Sequence, residues 1–268
     1  MRDRDENDRD GSDRDELVVE RRGHVVVARL NRPDARNALT GSLVDAIGTT
    51  IRAGETDPDV HAIVLTGTGD RAFCAGMDLR AFAGGDLAIE RGEGLDTYNR
   101  LIRGQVEVPL IGAANGAAMA GGLELLLACD LIVLADHARL GLPEVKRGLL
   151  AAGGGTFIGT RVPLSIALEL TLTGDDIDAA RALALGLANA VVPGADVLDV
   201  ALRYADRIAA NGPLAVRATK ELVRLGVSDT AAAWARLAEL QARVFASEDA
   251  KEGAQAFIEK RAPVWRGR

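Results

Sequence analysis

The chain has 268 residues, of which 48% are hydrophobic, and a formal net charge of −7. This length and composition allow a full hydrophobic core to form without a disulfide or a structural metal. The negative charge argues against a nucleic-acid or membrane-surface binder, because such partners require a basic face. Cys74 and Cys129 lie in apolar segments without CxxC spacing. This arrangement favours reduced thiols and predicts a cytoplasmic protein.

The N-terminal residues 1–16 are nearly all charged or polar. Because they contain no apolar run, they resemble neither a signal peptide nor a membrane anchor, and they predict a disordered tail. An interaction arm is the alternative, although mixed-charge runs are usually solvated. No apolar stretch in the chain reaches the roughly 20 residues needed to span a bilayer.

Strands and helices alternate after this tail. Two short β-branched runs, 17–19 and 24–30, predict a hairpin. The pattern then predicts a helix over 40–55 with Thr40 as its N-cap, a strand over 61–66, a helix over 96–106, a strand over 109–114, a helix from Gly121 and a strand over 131–135. Such alternation is typical of an α/β fold with a parallel sheet and helices on its faces. From about Thr156 onward the chain becomes mostly helical.

The first of three segments with candidate chemistry is a loop of small residues over 67–79. It leaves a predicted strand and enters a predicted helix. Gly76 would allow a ligand to approach the backbone closely, and the amides after it would lie at a helix N-terminus, where negative charge is favoured. Taken alone, the segment indicates only a turn between a strand and a helix.

The second segment covers 113–125, where Gly121 and Gly122 open a helix whose first turn carries Glu124. The free N–H of Gly121 is a donor that an oxyanion could use. Glu124 could simply complement the helix dipole. Its apolar neighbours in the sequence, however, would desolvate the carboxylate and raise its pKa toward that of a useful general acid.

The third segment covers 141–156 and contains Glu144 between a strand-like stretch and a glycine-rich turn. By itself, Glu144 could pair with Lys146 or Arg147 on a solvated surface.

Together the three segments resemble the crotonase, or enoyl-CoA hydratase/isomerase, family. The resemblance runs colinearly from Leu17 to Arg268. It rests on the order and spacing of Leu-Asn-Arg-Pro-Asp-Ala-Arg-Asn-Ala-Leu (30–39), Ala-Phe-Cys-Ala-Gly-Met-Asp-Leu (72–79), Asn-Gly followed by Gly-Gly-Leu-Glu (115–124), Cys-Asp (129–130), Pro-Glu (143–144) and Phe-Ile-Glu-Lys-Arg (257–261).

The resemblance implies a crotonase-type spiral of ββα repeats over 17–195, followed by a helical oligomerisation region over 196–268. It also implies that the backbone N–H groups of Met77 and Gly121 form an oxyanion hole for a thioester oxygen, each donor contributing about 3 kcal/mol in the transition state. Hydratases of the family carry two glutamates around one water molecule, and Glu124 and Glu144 fill both positions. Which of them acts as the acid in each direction stays open, because coupled carboxylates exchange roles on reversal.

The family's binding of coenzyme A maps onto residues in three parts of this chain. The matching positions are Asp34, Ala35 and Arg36; Ala75, Gly76, Asp78, Leu79 and Arg80; and Phe257 and Lys260 from a neighbouring subunit. The implied assembly is a homotrimer or a dimer of trimers. Coenzyme A belongs to the substrate, so no separate cofactor is expected. Ordinary surface charge is the alternative for Arg36, Arg80 and Lys260.

One departure from the family pattern bears on specificity. Lys146-Arg147 replaces an uncharged pair, and Ala151-Ala152 replaces a Pro-Gly turn. The preferred acyl group therefore stays open. Besides hydration, the sequence allows an isomerase or another crotonase-type reaction, or an acyl-CoA-binding protein without catalysis. A metal site is not expected, because His24, His61 and His137 are dispersed.

Overall fold

The structure, a computed structural model, describes residues 15–78 and 92–268. Its strands form two sheets. The described strands are β1 Leu17–Arg22, β2 Val25–Leu30, β3 Ala62–Gly67, β4 Ala72–Cys74, β5 Leu110–Ala114, β6 Ala117–Met119, β7 Leu131–Ala135, β8 Arg139–Gly141, β9 Ile177–Asp178 and β10 Ala190–Val192. The larger sheet has six strands in the order β1-β2-β3-β5-β7-β10, and the smaller has four in the order β4-β6-β8-β9.

The helices lie between the strands and continue beyond them. The described α-helices are α1 Gly41–Thr56, α2 Glu93–Ile102, α3 Gly121–Ala128, α4 Leu164–Thr173, α5 Ala179–Ala184, α6 Val197–Ala209, α7 Pro213–Ser228, α8 Thr230–Ala246 and α9 Glu248–Glu259. Short 3₁₀ helices cover Pro33–Ala35, Pro143–Arg147, Gly155–Thr160 and Gly194–Asp196. Within the described parts of the chain, no helix is both long enough and apolar enough to cross a membrane.

Successive pairs of strands are divided between the two sheets. β3, β5 and β7 pair in parallel in the larger sheet. The strands that follow them, β4, β6 and β8, pair in parallel in the smaller sheet. The chain therefore winds as a spiral of repeats in which two strands are followed by a helix or a 3₁₀ turn.

The predicted α/β class and crotonase-type spiral are confirmed, and so is the antiparallel hairpin of β1 and β2. The central strands β3 and β5 are buried along their whole length, as expected for parallel strands covered on both faces. Thr40 caps α1 as predicted, because its hydroxyl accepts a hydrogen bond from Leu43 N. The smaller sheet was not predicted. Its strands have only two or three residues, too few for a periodic pattern to appear.

Two residues of the predicted tail are part of the folded chain. Asp15 O accepts a hydrogen bond from the Asn31 side chain, and the Glu16 carboxylate lies 2.8 Å from the Arg32 guanidinium. Residues 1–14 lie outside the described part of the chain.

Asp130 joins the helical region to the end of α3. One carboxylate oxygen of Asp130 lies 2.8 Å from Lys220 Nζ and accepts a hydrogen bond from Leu110 N, and the other lies 2.7 Å from the Arg224 guanidinium. Lys220 and Arg224 belong to α7. The Lys220 side chain is only 10% exposed. Burial lowers its pKa, and the charge of Asp130 opposes this shift. A buried cation of this kind requires its partner.

We expect Asp130→Asn to lower the free energy of unfolding by about 3 kcal/mol, because the amide keeps an acceptor for Leu110 N but leaves two cations without their counter-charge. Chemical denaturation measures this loss. The matched control is Asp176→Asn, which removes the exposed pair with Arg139 and should change stability much less. Equal losses in the two variants would contradict the role of Asp130.

Candidate active site

Each candidate catalytic group follows the second strand of a repeat. Met77 comes three residues after β4, Glu124 lies in the first turn of α3 after β6, and Glu144 comes three residues after β8. Because β4, β6 and β8 are parallel neighbours, their carboxyl ends lie at one edge of the smaller sheet. This topology brings together groups that lie 67 positions apart in the sequence.

The amides of Met77 and Gly121 lie side by side. A Cβ atom placed on Gly121 would lie 3.6 Å from Met77 N. Met77 pairs with Leu39 as an isolated parallel bridge, in which Leu39 N donates to Gly76 O and Asp78 N donates to Leu39 O. Since successive amides of an extended segment point in opposite directions, Met77 N points away from Leu39. Among the described residues, neither the Met77 amide nor the Gly121 amide donates a hydrogen bond.

This close approach depends on an unusual backbone at two residues. Gly76 has φ +96°, and a Cβ there would lie 3.0 Å from Met119 O and 3.2 Å from Gly121 N. Ala120, which precedes α3, has φ 52° and ψ −129°, a combination that costs energy for a residue with a Cβ. The Ala120 amide donates to Gly141 O at 2.9 Å, which holds this turn against β8.

Glu124 is 8% exposed and lies among apolar side chains. Its Oε1 accepts a hydrogen bond of 3.0 Å from Gly155 N. Burial raises the pKa of Glu124, and the negative charge of Glu144 raises it further, while the amides of Gly155 and Gly153 oppose the shift. The structure thus confirms the desolvated carboxylate that the sequence predicted.

The glycines that hold Glu124 leave no room for a side chain. A Cβ on Gly153 would lie 2.5 Å from Glu124 Oε2, and a Cβ on Gly155 would lie 3.1 Å from Glu124 Oε1. The backbone therefore lies directly against the carboxylate. The glycine run is visible in the sequence, but a glycine run near a glutamate in the sequence carries no signal of such contact.

Glu144 lies in the 3₁₀ helix Pro143–Arg147 and is partly buried. Its Oε2 is buried and has no hydrogen-bond partner among the described residues. Burial raises the pKa of Glu144, while the positive charge of Arg147 opposes the rise. Glu144 does not form a surface ion pair with Lys146 or Arg147. Lys146 pairs with Asp175, and Arg147 donates a hydrogen bond to Pro143 O. A buried acceptor without a partner is suited to a water molecule or a substrate proton.

Tyr98 on α2 is a further titratable group near Glu124 that the sequence did not reveal. Burial raises the pKa of this phenol, and the charges of Cys74 and Glu124 raise it further. In the sequence, a single tyrosine on an amphipathic helix cannot be distinguished from a residue that only packs against the core.

The proposed contacts with coenzyme A have three different outcomes. Arg36 is exposed after the 3₁₀ turn Pro33–Ala35, and its carbonyl accepts a hydrogen bond from Ala75 N at 3.1 Å. The first two sets of residues, Asp34 to Arg36 and Ala75 to Asp78, are thereby brought together. Leu79 and Arg80 lie outside the described residues.

Phe257 and Lys260 lie at the C-terminal end of α9. Phe257 is 85% exposed, and Lys260 is the exposed C-cap residue with φ 54°. Their assignment to the site of a neighbouring subunit stays a prediction.

Comparisons with known proteins identify the family of this chain. The family model described as enoyl-CoA hydratase/isomerase matches residues 20–268. An enoyl-CoA hydratase of Mycobacterium tuberculosis is 39% identical, covering 94% of this chain and 97% of that protein. A 2,3-dehydroadipyl-CoA hydratase of Escherichia coli is 38% identical, covering 94% of this chain and 99% of that protein.

Solved structures show the same fold. The crystal structure of an enoyl-CoA hydratase from Mycobacterium marinum has a TM-score of 0.87 and 42% sequence identity, covering 94% of this chain and 99% of that chain. Since both the sequence and the fold match over nearly the whole chain, this protein belongs to the enoyl-CoA hydratase/isomerase family.

Proposed function

We propose that the protein is an enoyl-CoA hydratase, which adds water reversibly across the 2,3 double bond of an enoyl-CoA thioester. The observation that carries this proposal is the buried Glu124 and the partly buried Glu144 beside the amides of Met77 and Gly121, which donate no hydrogen bond among the described residues. The names of the relatives support the same activity.

The amides of Met77 and Gly121 hold the thioester oxygen, on which negative charge develops as the hydroxyl group adds to C3. Of the two glutamates, the ionised one accepts a proton from the water, and the protonated one donates a proton to C2. The hydroxyl group of the water is thereby added to C3, and a proton is added to C2. The two glutamates together carry one proton after the reaction, as they did before it. The buried Oε2 of Glu144 and the hydrogen-bonded carboxylate of Glu124 are both suited to bind the water.

The pH dependence follows from the two raised pKa values. Activity requires one ionised and one protonated carboxyl, so kcat/KM should follow a bell-shaped curve that reports the pair. Because burial raises the pKa of both carboxyls, we expect the acid and the alkaline limb of this curve to lie at higher pH than they would for two exposed glutamates. Initial rates measured across the pH range, with substrate well below KM, test this. An acid limb at the pKa of an exposed glutamate would contradict the proposed desolvation.

The direct test mixes the purified protein with crotonyl-CoA and follows the loss of the conjugated thioester absorbance. Hydration of crotonyl-CoA or of longer enoyl-CoAs supports the proposal. Movement of the double bond without addition of water would instead indicate an isomerase. Thioester binding without turnover would indicate a binding protein, the other alternative that the sequence allows.

We also propose that the protein assembles as a trimer or a dimer of trimers. One face of α4 presents Leu164, Leu168 and Leu172, whose exposures are 70%, 45% and 70%. On α8, only Leu240 is buried, while Trp234 and Phe245 are each 70% exposed. Exposed apolar surface of this extent is typical of an interface. Light scattering after size-exclusion chromatography should give the mass of three or six chains, and a monomer at micromolar concentration would contradict assembly.

Assembly is also what would bring Phe257 and Lys260 to coenzyme A bound by a neighbouring subunit. The pyrophosphate and the 3′-phosphate of that coenzyme would lie near Arg36 and Arg80.

A further inference from the structure

The C-terminal end of α3 has a partner for each of its last four carbonyl groups, which a helix cannot satisfy internally. Leu125 O accepts from Cys129 Sγ, and Leu126 O accepts from Cys129 N. The last two carbonyls are bound by arginines from elsewhere in the chain. Leu127 O accepts from Arg161 at 3.0 Å, and Ala128 O accepts from Arg224 at 3.0 Å.

Arg161 directly follows the segment that binds Glu124. The 3₁₀ helix Gly155–Thr160 begins at the residue whose amide donates to Glu124 and ends just before Arg161. Arg161 Nη1 donates to both Leu127 O and Cys129 O, at 3.0 and 3.1 Å. Between these two attachments, Ile158 is buried in the core with 1% exposure. The segment is thus held against α3 at both ends, and its middle is packed in the core.

We infer that Arg161 is a positioning residue, which fixes the 155–160 segment on α3 and thereby holds the Gly155 amide against the carboxylate of Glu124. The inference rests on the proposed function in so far as Glu124 takes part in catalysis. Arg161 lies at the opposite end of α3 from the first turn that carries Glu124, and its effect on the reaction passes through the backbone between Arg161 and Gly155.

The geometry favours this role over simple capping of the helix. The guanidinium makes two bonds from one nitrogen to carbonyls two residues apart, so that rotation of the segment breaks at least one of them. The Gly155 bond to Glu124 is a single hydrogen bond of 3.0 Å, which a small displacement of the segment would lengthen. Misplacement by about 1 Å at a catalytic group can lower the rate by roughly 10²-fold.

Arg224 provides a matched control within the chain. It also carries one positive charge and also caps the end of α3, but it extends from α7, and among the described residues its hydrogen bonds go to Ala128 O and Asp130 rather than to the glycine segment. Replacing either arginine by methionine removes one positive charge and one helix cap, and Arg224→Met also removes the ion pair with Asp130. Only the Arg161 variant frees the segment that binds Glu124.

The decisive readout is the pKa of Glu124 itself, followed by carbon NMR of protein labelled in its glutamate carboxyls and assigned by the resonance lost in Glu124→Gln. Among the described residues, the titratable groups that face Glu124 are Glu144 and Tyr98, and neither is changed in these variants. We expect the pKa of Glu124 to rise in Arg161→Met, since a bond that stabilises the ionised form is weakened. It should stay at the wild-type value in Arg224→Met.

The same variants are assayed with crotonyl-CoA. We expect Arg161→Met to lower kcat by roughly 10-fold to 100-fold with little change in KM. When the same substitution is introduced into Glu124→Gln, the residual activity should hardly change. Arg161→Lys should recover part of the kcat, because the ammonium keeps donors for the two carbonyls. If Arg161→Met fails to fold, the pKa of Glu124 must rise in Arg161→Lys instead.

An unchanged pKa of Glu124 in the Arg161 variants would overturn the inference, and so would an equal rise in Arg224→Met. A wild-type protein that hydrates no enoyl-CoA would overturn the proposed function alone, since the NMR titration still decides whether Arg161 positions Glu124.

Discussion

Replacing either carboxyl by an amide, in Glu124→Gln or Glu144→Gln, is expected to lower kcat for hydration by about 10²–10⁴-fold, because an amide neither accepts nor donates the transferred proton. The two losses should be similar, since each turnover requires both groups. Steady-state rates with crotonyl-CoA measure them. If one variant kept more than a tenth of the wild-type kcat, a mechanism with a single glutamate, such as that of an isomerase, would be favoured.

The stability of Glu124→Gln separates a catalytic loss from misfolding. A carboxyl whose pKa is higher in the folded than in the unfolded protein stabilises the fold at low pH and loses this contribution as pH rises through the folded pKa. Burial raises the pKa of Glu124 in this sense. The neutral amide avoids the cost of a buried charge, so at pH 7 the variant should unfold at a temperature no lower than the wild type. A clearly lower unfolding temperature would show that the carboxylate stabilises the fold.

Gly153→Ala is expected to lower kcat by about 10²-fold while the protein still folds. The new Cβ would lie 2.5 Å from Glu124 Oε2 and 2.9 Å from Glu124 Cδ. Since these atoms are at the end of a flexible side chain, the carboxylate moves and the backbone keeps its place. The measurement pairs kcat with thermal unfolding. Full activity in this variant would show that the contact between Gly153 and Glu124 is not needed.

A second glycine nearby supplies the control. A Cβ on Gly159 would lie 3.7 Å from Ala167 Cβ, which is an ordinary contact. Gly159→Ala should therefore keep the wild-type kcat, and it loses less backbone entropy on folding. If both alanine variants lost activity equally, rigidity of the glycine-rich segment would explain the effect better than the position of Glu124.

The larger elements could be predicted from the sequence because their patterns are long. The helix over 40–55 has four apolar positions on one face and a capping threonine, and it is found as α1. The strands over 61–66 and 109–114 are continuous apolar runs and are found as β3 and β5. Burial of these segments depends mainly on their own composition, so local reasoning succeeds.

The site could be predicted only in part. The apolar neighbours of Glu124 in the sequence indicated its desolvation, because residues of one helix share its surroundings. That Glu144 Oε2 has no hydrogen-bond partner in the described parts of the chain depends on packing between distant segments. The bond from Gly155 to Glu124 and the two bonds of Arg161 likewise join segments some 30 residues apart. No period or spacing records such contacts.

Three strands of the smaller sheet, β4, β6 and β8, each lead to one part of the site, and the parts differ in how they depend on side chains. After β4 and at the start of α3, the candidate donors are peptide N–H groups, which every residue except proline carries. After β6 and β8, the candidate proton carriers are carboxyl side chains, which a single base change can remove. Under the proposed function, activation of the thioester therefore tolerates a change of the Met77 side chain, whereas the fate of the activated acyl group depends on the side chains of Glu124 and Glu144. A protein built in this way could change its reaction at Glu124 or Glu144 and still recognise the same class of substrate.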